Sequence, residues 1–427
     1  MSTVEPVDRD ELSRVGFGCY RAHSELHGEA LAQALSAGCN LIDTASNYED
    51  GRSESLVGAV LENTGARAFV VTKVGYISPA GVASLKGAGL RTERLPQLQD
   101  GTPFSLEPAV LRVLLELSRS RLGRPTLDAV LLHNPERLID TGASAAELHT
   151  AFERAFEFLD QEVHAGRLRF YGVSSNSLPT ACEGTPLDLE SIVPLARSGD
   201  RDPALSFMEF PLNLLERDAA GIGSRASLFA RMPHGVRTIA NRPLNAFFDG
   251  GLTRLALTGP RASDDGAWQR CVSLVSSRLQ ELDRPEPWTS FRPMQFLRDS
   301  RKEIPDLDLL DTIWERQIVP FIEAVFDGGS LGDARDAFED LHLDARASTL
   351  LALELRTRAG VAHLLREGLL EQDSDEPLAM AACRYCLDAG ADHVVVGMRR
   401  AEYVTQLAPL FAHPIGQASS NMEVSLS

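Results

Sequence analysis

The sequence predicts an α/β fold, an (α/β)8 TIM barrel with a large helical insertion between strands seven and eight. Short apolar runs rich in β-branched residues alternate with longer stretches of helical periodicity, as in chains whose parallel strands are joined by helices. Several runs, such as AVLLH and HVVVG, lack polar alternation, which is typical of parallel strands buried on both faces. A length of 427 residues fits one such barrel with insertions.

Eight strands are predicted along the chain, with helices between them. The predicted strands are Val15–Cys19, Asn40–Ala45, Phe69–Gly75, Asp128–Asn134, Phe170–Ser175, Ala204–Leu212, Val236–Leu244 and His393–Arg399. The predicted helices include Ser24–Ala37, Ser53–Glu62, Leu106–Arg121, Ala145–Ala165 and Leu378–Ala389. Eight strands with intervening helices favour a closed barrel over an open sheet.

The segment 245–375 interrupts this alternation. It has no convincing strand and is predicted to form several helices joined by loops. It also contains all three tryptophans, which are Trp268, Trp288 and Trp314. We interpret it as an insertion within a single barrel domain that spans residues 1–427. Because it follows strand seven, it begins on the face where barrels place their active sites, and it is expected to cap the mouth in part. A side subdomain packed on the outer helices is the alternative.

A second insertion, at about Tyr76–Phe104, follows the third strand. It is rich in Gly and Pro, and we expect a mobile loop over the site. Aromatic residues near the mouth are candidates for lining an apolar or sugar-stacking pocket, and the insertion tryptophans are candidates either for that pocket or for the core of the insertion. The pocket candidates outside the tryptophans are Tyr20, Tyr76, Phe247 and Phe248.

The composition excludes several classes of partner. The chain has 42 basic and 60 acidic residues, a formal net charge of −18, and no basic cluster, so nucleic acid and anionic membrane surfaces are not expected as partners. No run of about 18 apolar residues predicts a membrane span. The polar N-terminus does not resemble a signal peptide, and six cysteines in a chain of this length do not suggest a disulfide scaffold. We expect a soluble, cytoplasmic protein, whose oligomeric state the sequence does not indicate.

Four polar residues lie at or just beyond the C-terminal ends of successive predicted strands. Asp43 ends strand two and Tyr48 follows it, while Lys73 and His133 lie near the ends of strands three and four. Barrel geometry brings these strand ends to one rim. A tyrosine with an ordinary pKa near 10 is a poor proton donor at neutral pH unless a cation favours its ionised form, and Lys73 is that cation. Singly, each residue has a structural alternative, such as a buried Asp–Lys pair or a satisfied core histidine.

The four residues together suggest proton-coupled carbonyl chemistry. Asp43 is placed to hold Lys73, and His133 to orient a carbonyl oxygen by a hydrogen bond. The phenol and the imidazole together would stabilise oxyanion character as a hydride arrives. Their joint position, rather than the type of any one of them, predicts a catalytic centre.

One stretch, GCNLIDTASNYEDGRSESLVG (Gly38–Gly58), closely resembles the signature of the aldo-keto reductase family. The resemblance continues, in the family's order, in VVTKVG, FSLEPAVLRVLLELSRSRLGRPTLDAVLLHNPE, GRLRFYGVSSNS, the Asn-Leu-Leu-Glu of Asn213–Glu216, and VVVGMRRAEYV. It covers about residues 11–250 and 376–412. It implies a barrel that binds NADP(H) across its C-terminal rim and reversibly reduces an aldehyde, ketone or sugar carbonyl. By resemblance Tyr48 is the general acid, Asp43 and Lys73 tune it, and His133 positions the substrate.

The same resemblance implies the residues that hold the cofactor. Ser174 matches the family's serine for the nicotinamide amide, but Ser175 replaces the usual asparagine beside it. Glu209 takes the place of a glutamine that contacts the carboxamide, and Asn241 that of an aromatic residue that stacks on the ring. Near the C-terminus the candidates for the adenosine phosphate are Gly397, Arg399 and Arg400. A guanidinium suits the 2′-phosphate of NADPH and favours it over NADH. Alternatively, these arginines merely solvate the start of a helix.

Two other motifs are interpreted as decoys. The motif GIGSRA (Gly221–Ala226) has the outline of a dinucleotide-binding loop, but Glu-Arg-Asp precedes it where a buried strand is required, so a loop that opens a helix is preferred. Cys383 and Cys386 form a CxxC in a predicted helix with no second pair to complete a metal site, which favours packing, and no metal is expected.

Three functions remain open at this point. The first is an NADPH-dependent reductase or, in reverse, a dehydrogenase. The second is a nicotinamide-binding barrel with little or no turnover, acting as a sensor or binding subunit, which the departures at Glu209 and Asn241 suggest. The third is a barrel that has lost the cofactor and binds another ligand. The complete set of four catalytic candidates favours the first, because a binding module has no need of all four groups.

Overall fold

The structure is a computed structural model, and it describes residues 7–180, 187–196, 205–221, 226–249, 251–256, 265–282, 292–300, 304, 307–326, 332–372 and 374–411. The chain divides into two compact units. The barrel unit comprises Met1–Leu244 and Asp375–Ser427, and the inserted unit comprises Asn245–Ser374. No helix among the described residues is long and apolar enough to cross a membrane.

The barrel unit contains a closed sheet of eight strands in which every neighbouring pair is parallel. The strands of the described residues are β1 (Val15–Gly18), β2 (Leu41–Asp43), β3 (Phe69–Val74), β4 (Leu127–His133), β5 (Leu168–Ser174), β6 (Leu205–Pro211), β7 (Arg237–Asn241), β8 (Asn245–Phe248), β9 (Gly251–Arg254) and β10 (His393–Val396). Their order around the barrel is β1-β10-β7-β6-β5-β4-β3-β2, which confirms the predicted (α/β)8 fold. β7 ends at Asn241, three residues before its predicted end, because Arg242 takes a left-handed conformation (φ 53°) that stops the strand.

Helices of the barrel unit surround this sheet, and the helices between Asp265 and Arg366 belong to the inserted unit. The α-helices of the described residues are α1 (Glu25–Ser36), α2 (Arg52–Thr64), α3 (Pro79–Gly87), α4 (Pro108–Leu122), α5 (Arg137–Asp140), α6 (Ala145–His164), α7 (Leu189–Ile192), α8 (Leu228–Arg231), α9 (Asp265–Glu281), α10 (Arg292–Ser300), α11 (Leu307–Ile313), α12 (Val319–Val325), α13 (Gly332–Arg366), α14 (Leu378–Asp388) and α15 (Ala401–Leu407). The five predicted helices are α1, α2, α4, α6 and α14. Serine hydroxyls at Ser24 and Ser144 accept the backbone N–H three residues on, which fixes the starts of α1 and α6.

Two predicted connections differ from the structure. The second insertion is not simply an irregular loop, because it contains α3, whose first turn is capped by the Ser78 hydroxyl with Pro79 at the first helical position. The segment 245–375 is not free of strands, because β8 and β9 pair as an antiparallel hairpin with Phe248 opposite Gly251. The Asp-Gly dipeptide at 249–250 was the sequence signal for this hairpin, because Asp-Gly is typical of two-residue hairpin turns.

The interior of the barrel is filled by side chains. Its buried residues include Leu41, Phe69, Leu131, Phe207 and Ile239, and the rings of Phe69 and Phe207 lie 5.6 Å apart. A second layer of apolar side chains lies between the strands and the surrounding helices. Because the interior is a packed core rather than a pore, a ligand site in this unit has to lie at a rim.

The inserted unit has an apolar core of its own. Trp314 is buried in it and stacks on the His342 ring at 4.4 Å, and Trp268 packs against the same core. These two tryptophans are therefore core residues, while Trp288 lies outside the described residues.

Candidate active site

The rim at the C-terminal ends of the strands gathers the predicted catalytic residues. Asp43 is the last residue of β2, His133 is the last of β4, and Lys73 is the last but one of β3. Tyr48 follows β2 in a short turn, where its N–H donates to the carbonyl of Ala45 over 3.1 Å. The strand register that puts apolar residues in the barrel interior thus also puts these polar groups at one end.

Lys73 is the centre of the cluster and is fully buried. Its ammonium group donates to the carboxylate of Asp43 and, over 3.2 Å, to the carbonyl of Thr44. On another side the Oε2 atom of Glu209 lies 3.3 Å from the same nitrogen. Lys73 therefore donates hydrogen bonds to Asp43 and Thr44, whereas Glu209 is its ion-pair partner without a well-aligned hydrogen bond. Lys73 therefore has two acidic neighbours, from β2 and from β6.

Burial and charge shift the pKa values of this cluster. Burial, together with the nearby carboxyl group of Glu209, raises the pKa of Asp43 to about 8 against the opposing attraction of Lys73. Burial lowers the pKa of Lys73, but the attraction of Asp43 and Glu209 outweighs this and leaves the pKa above its ordinary value. The two acidic neighbours therefore favour the charged form of Lys73 in spite of its burial.

Tyr48 and His133 face each other beside this cation. The Lys73 nitrogen lies 5.5 Å from the centre of the Tyr48 ring, and the Tyr48 and His133 rings meet edge-on with their centres 5.9 Å apart. Burial raises the pKa of Tyr48 and Lys73 works against that rise. Burial, aided by Lys73, lowers the pKa of His133 well below its ordinary value, so the imidazole is neutral. Its buried Nδ1 atom has no hydrogen-bond partner among the described residues.

Aromatic residues extend the site on either side. The Tyr20 ring packs edge-on against Tyr48 at 5.3 Å, and the Tyr76 ring against His133 at 4.9 Å. The Tyr76 hydroxyl accepts a hydrogen bond from the Asn134 side-chain amide over 3.1 Å. The two tyrosines predicted as pocket candidates therefore contact the catalytic candidates directly.

Three of the predicted cofactor residues form one hydrogen-bonded group. The Ser174 hydroxyl donates to Oε1 of Glu209 over 3.1 Å, and the Asn241 side-chain amide donates to the same oxygen over 2.7 Å. Ser174 and Glu209 are partners in the β5–β6 register. This group connects with the catalytic candidates through Lys73, so one continuous polar cluster spans β2, β3, β5, β6 and β7.

The remaining cofactor candidates lie elsewhere. The Ser175 hydroxyl donates to the Glu136 carboxylate over 3.0 Å instead of joining the Glu209 group. Gly397 is exposed just after β10, and a Cβ atom placed there would meet nothing within 4 Å. Arg399 is half-buried and Arg400 exposed, immediately before α15.

One supporting network was missed by the sequence reasoning. The buried Glu54 carboxylate accepts from the Thr72 hydroxyl over 2.7 Å and from the Arg121 guanidinium over 3.2 Å. Arg121 also donates to the backbone carbonyl of Ser46, two residues before Tyr48. Glu54 and Arg121 therefore help to position the loop of Tyr48. Glu54 lies in the signature stretch Gly38–Gly58, but no local pattern indicated that Arg121 is its partner.

The decoy motifs show no site within the described residues. Cys383 and Cys386 are both buried in α14, and burial raises the pKa of each thiol. Among the described residues no group of His, Cys, Asp and Glu is arranged to hold a metal ion. Most of the GIGSRA motif lies outside the described residues.

Comparison with known proteins identifies the family. A sequence profile described as "Aldo/keto reductase family" matches residues 16–282, more than half of the chain. The chain belongs to the aldo/keto reductase family. The matched range contains all four predicted catalytic residues of this aldo/keto reductase, from Asp43 to His133.

Curated relatives of the aldo/keto reductase are identical to it at about a quarter of the aligned positions. An uncharacterized oxidoreductase of Bacillus subtilis strain 168 is 28% identical over 167 residues, which are 39% of this chain and 45% of the relative. A 6-dehydroglucose reductase of Agrobacterium fabrum strain C58 is 26% identical over 41% of this chain and 54% of its own. A D-threo-aldose 1-dehydrogenase of a Pseudomonas species is 28% identical over 44% of this chain and 60% of its own length. The chain thus spans about half the length of the curated relatives it matches.

Solved structures are also similar to the aldo/keto reductase. A glycerol dehydrogenase of Gluconobacter oxydans is 18% identical, with a TM-score of 0.49 over 95% of this chain and 88% of its own. An aldo-keto reductase of Bacillus halodurans, solved in its holo form, is 15% identical, with a TM-score of 0.47 over 94% of this chain and 87% of its own.

Proposed function

We propose that this protein is an NADP(H)-dependent oxidoreductase that reversibly reduces an aldehyde, ketone or sugar carbonyl to an alcohol, with Tyr48 as the general acid. The observation that carries the proposal is the position of the buried Lys73 cation, which Asp43 and Glu209 hold beside the Tyr48 ring. Membership of the aldo/keto reductase family supports it.

Each residue of the centre has a distinct role in this proposal. Tyr48 gives its phenolic proton to the carbonyl oxygen of the substrate, and Lys73 stabilises the phenolate that remains. Neutral His133 donates a hydrogen bond to the same oxygen, because its imidazole has one N–H at neutral charge. When bound, NADPH supplies the hydride to the carbonyl carbon, and NADP+ takes it back in the reverse direction. Proton and hydride together convert C=O into CH–OH.

The polar group around Asn241 fits a nicotinamide carboxamide. The Oδ1 atom of Asn241 is buried and has no hydrogen-bond partner among the described residues. An unsatisfied buried acceptor is costly, and the amide N–H of a carboxamide is a suitable donor for it. We propose that Ser174, Glu209 and Asn241 hold the nicotinamide end, while Ser175 acts at its edge.

The opposite end of the cofactor is proposed to lie near Gly397. A glycine with open space beside it lets a ligand approach the backbone. Arg399 and Arg400 are proposed to pair with the 2′-phosphate, which gives a preference for NADPH over NADH.

Sugar carbonyls are the substrate class that the relatives favour. Two of them are named for sugars, as a 6-dehydroglucose reductase and a D-threo-aldose 1-dehydrogenase. The Tyr20 and Tyr76 rings flank Tyr48 and His133, and aromatic faces of this kind can stack on the apolar face of a sugar ring.

Tyr48→Phe tests the proposal, because it removes the proton donor and keeps the ring. With NADPH and a panel of aldehydes, ketones and sugar carbonyls, the wild type is expected to turn over and Tyr48→Phe to lose at least about a hundredfold in kcat. NADP+ binding, measured by calorimetry, should be the same in both. Equal turnover would refute the role of Tyr48. Tight NADP(H) binding without any turnover would support the sensor or binding subunit, and no binding at all would support a different ligand.

A further inference from the structure

Glu209 gives Lys73 a second acidic neighbour inside the protein. Lys73 carries one positive charge, whereas Asp43 and Glu209 would carry two negative charges if both were ionised. Asp43 is 5% exposed, Glu209 2% and Lys73 0%. A net negative charge in such a buried cluster is costly, since a buried charge needs a partner. The cluster thus holds one carboxylate more than its cation compensates.

Glu209 is held in this position by neutral donors. Ser174 on β5 and Asn241 on β7 both donate to its Oε1 atom, which leaves Oε2 facing Lys73. Oε2 receives no well-aligned hydrogen bond from any described residue. The carboxyl groups of Asp43 and Glu209 both lie against the Lys73 nitrogen, and Glu209 is close enough to raise the pKa of Asp43. Two carboxylates are acceptors only, so a proton on one of them is needed before they can bond to each other.

We propose that Asp43 and Glu209 hold a single proton between them around Lys73, so that Glu209 sets the charge of the cluster that acts on Tyr48. With that proton the cluster is neutral, because one ammonium faces one carboxylate. Without it the cluster has a net charge of −1. Glu209 is in this view a positioning residue that works through Lys73. The catalytic consequence rests on the proposed function, whereas the shared proton does not.

The surrounding groups do not compete for this proton. Among the described residues, the other titratable groups that interact with the cluster are Cys19, Tyr48 and His133, and Tyr20 packs against Tyr48. Burial raises the pKa of Cys19 and of Tyr48 and lowers that of His133. The pKa of Asp43 is raised to about 8, with burial as the largest cause and Glu209 as the next. The proton is therefore expected to leave to solvent as the pH rises through about 8.

Loss of the proton changes the acid strength of Tyr48. The charges of Asp43 and Glu209 both raise the pKa of Tyr48, in opposition to Lys73. An extra negative charge above about pH 8 makes Tyr48 a weaker acid. Carbonyl reduction should fall as the pH rises through that value.

The first experiment observes the proton directly in the full-length protein without cofactor. Infrared difference spectra between acidic and alkaline solution report the carbonyl stretch of a protonated carboxylic acid. The wild type is expected to lose one such group as the pH passes about 8. Glu209→Gln should lack this step, because the remaining Asp43 carboxylate alone compensates Lys73. Asp43→Asn should lack it as well and serves if Glu209→Gln does not fold.

Glu162→Gln is the matched control. Glu162 is a buried carboxylate on α6 whose oxygens accept from Arg167 over 2.8 and 2.6 Å, so its charge is compensated by a residue outside the Lys73 cluster. It should retain the wild-type step. A step that persists unchanged in Glu209→Gln, or that is missing from the wild type, would overturn the proposal.

The second experiment measures the pH profile of kcat/KM. The fall above about pH 8 in the wild type should move upward by at least about one unit in Glu209→Gln. NADP+ binding to both proteins is measured by calorimetry as well. If Glu209 only contacts the carboxamide, its substitution should weaken NADP+ binding and leave the pH profile unchanged. That result would refute the role of Glu209 in proton sharing. If no variant turns over any carbonyl, the proposed function fails while the infrared step still decides the shared proton.

Discussion

A single ammonium group organises the site at the scale of residues. Lys73 has Asp43 on one side and Glu209 on the other, and the Tyr48 ring lies beside it. The sequence predicted the Asp43–Lys73 pair from strand ends. It did not predict that Glu209 joins them, because the register between β5 and β6 decides which residue of SFMEFPL faces the rim.

Lys73→Met removes this cation while keeping the length of the side chain. The buried carboxyl groups of Asp43 and Glu209 then remain without their cation, which should lower the free energy of unfolding by about 3–5 kcal/mol. The rate of carbonyl reduction should fall at least about a hundredfold, since Tyr48 loses the group that stabilises its phenolate. Chemical denaturation and steady-state kinetics measure both effects. Lys86→Met, at an exposed position on α3, is the control and should leave both unchanged; a stable and active Lys73→Met would rule out the central role of the cation.

At the scale of elements, the close approach of β5 and β6 determines which of their residues meet at the site. β5 and β6 approach so closely at Gly172 that a Cβ atom there would lie 2.0 Å from the Phe207 carbonyl oxygen. The register of this pair shifts between Tyr171 and Gly172, and two residues later it sets Ser174 beside Glu209. The absence of a side chain at Gly172 therefore supports the geometry of the proposed nicotinamide end.

Gly172→Ala is expected to separate these strands. The neighbour is backbone and has no flexible end that can give way, so the free energy of unfolding should fall by about 3 kcal/mol or more. NADP+ binding should weaken as well, because Ser174 and Glu209 move apart. Gly87→Ala, near the exposed end of α3 with nothing within 4 Å of the new Cβ, is the counterpart and should be neutral or slightly stabilising. Thermal unfolding and calorimetry compare them, and equal behaviour of the two variants would disprove the steric argument.

Two units with separate cores make up the whole molecule. The barrel unit contains all eight barrel strands and every catalytic and cofactor-binding candidate. The inserted unit has its own core around Trp314, and it contains the pocket candidates Phe247 and Phe248. A chain in which residues 245–374 are replaced by a short Gly-Ser linker should therefore keep the barrel.

The shortened chain is expected to show the circular dichroism of a folded α/β protein and to bind NADP+, since its core and its site residues are intact. Calorimetry against the full-length protein measures this. Retained binding with altered substrate preference would indicate that the inserted unit shapes the substrate pocket. An unfolded shortened chain would show instead that the barrel depends on the inserted unit.

The sequence by itself determined the barrel and its catalytic candidates. Eight apolar β-branched runs can be buried on both faces only in a sheet covered by helices, and residues at strand ends share a rim, so Asp43, Lys73 and His133 followed from local pattern alone. The tertiary structure decided the partners of those residues. Hydrogen bonds between β5, β6 and β7 brought Ser174 and Asn241 to Glu209, and turned Ser175 toward Glu136 instead. Such contacts depend on strand register and burial between residues more than thirty positions apart, and no local pattern encodes them.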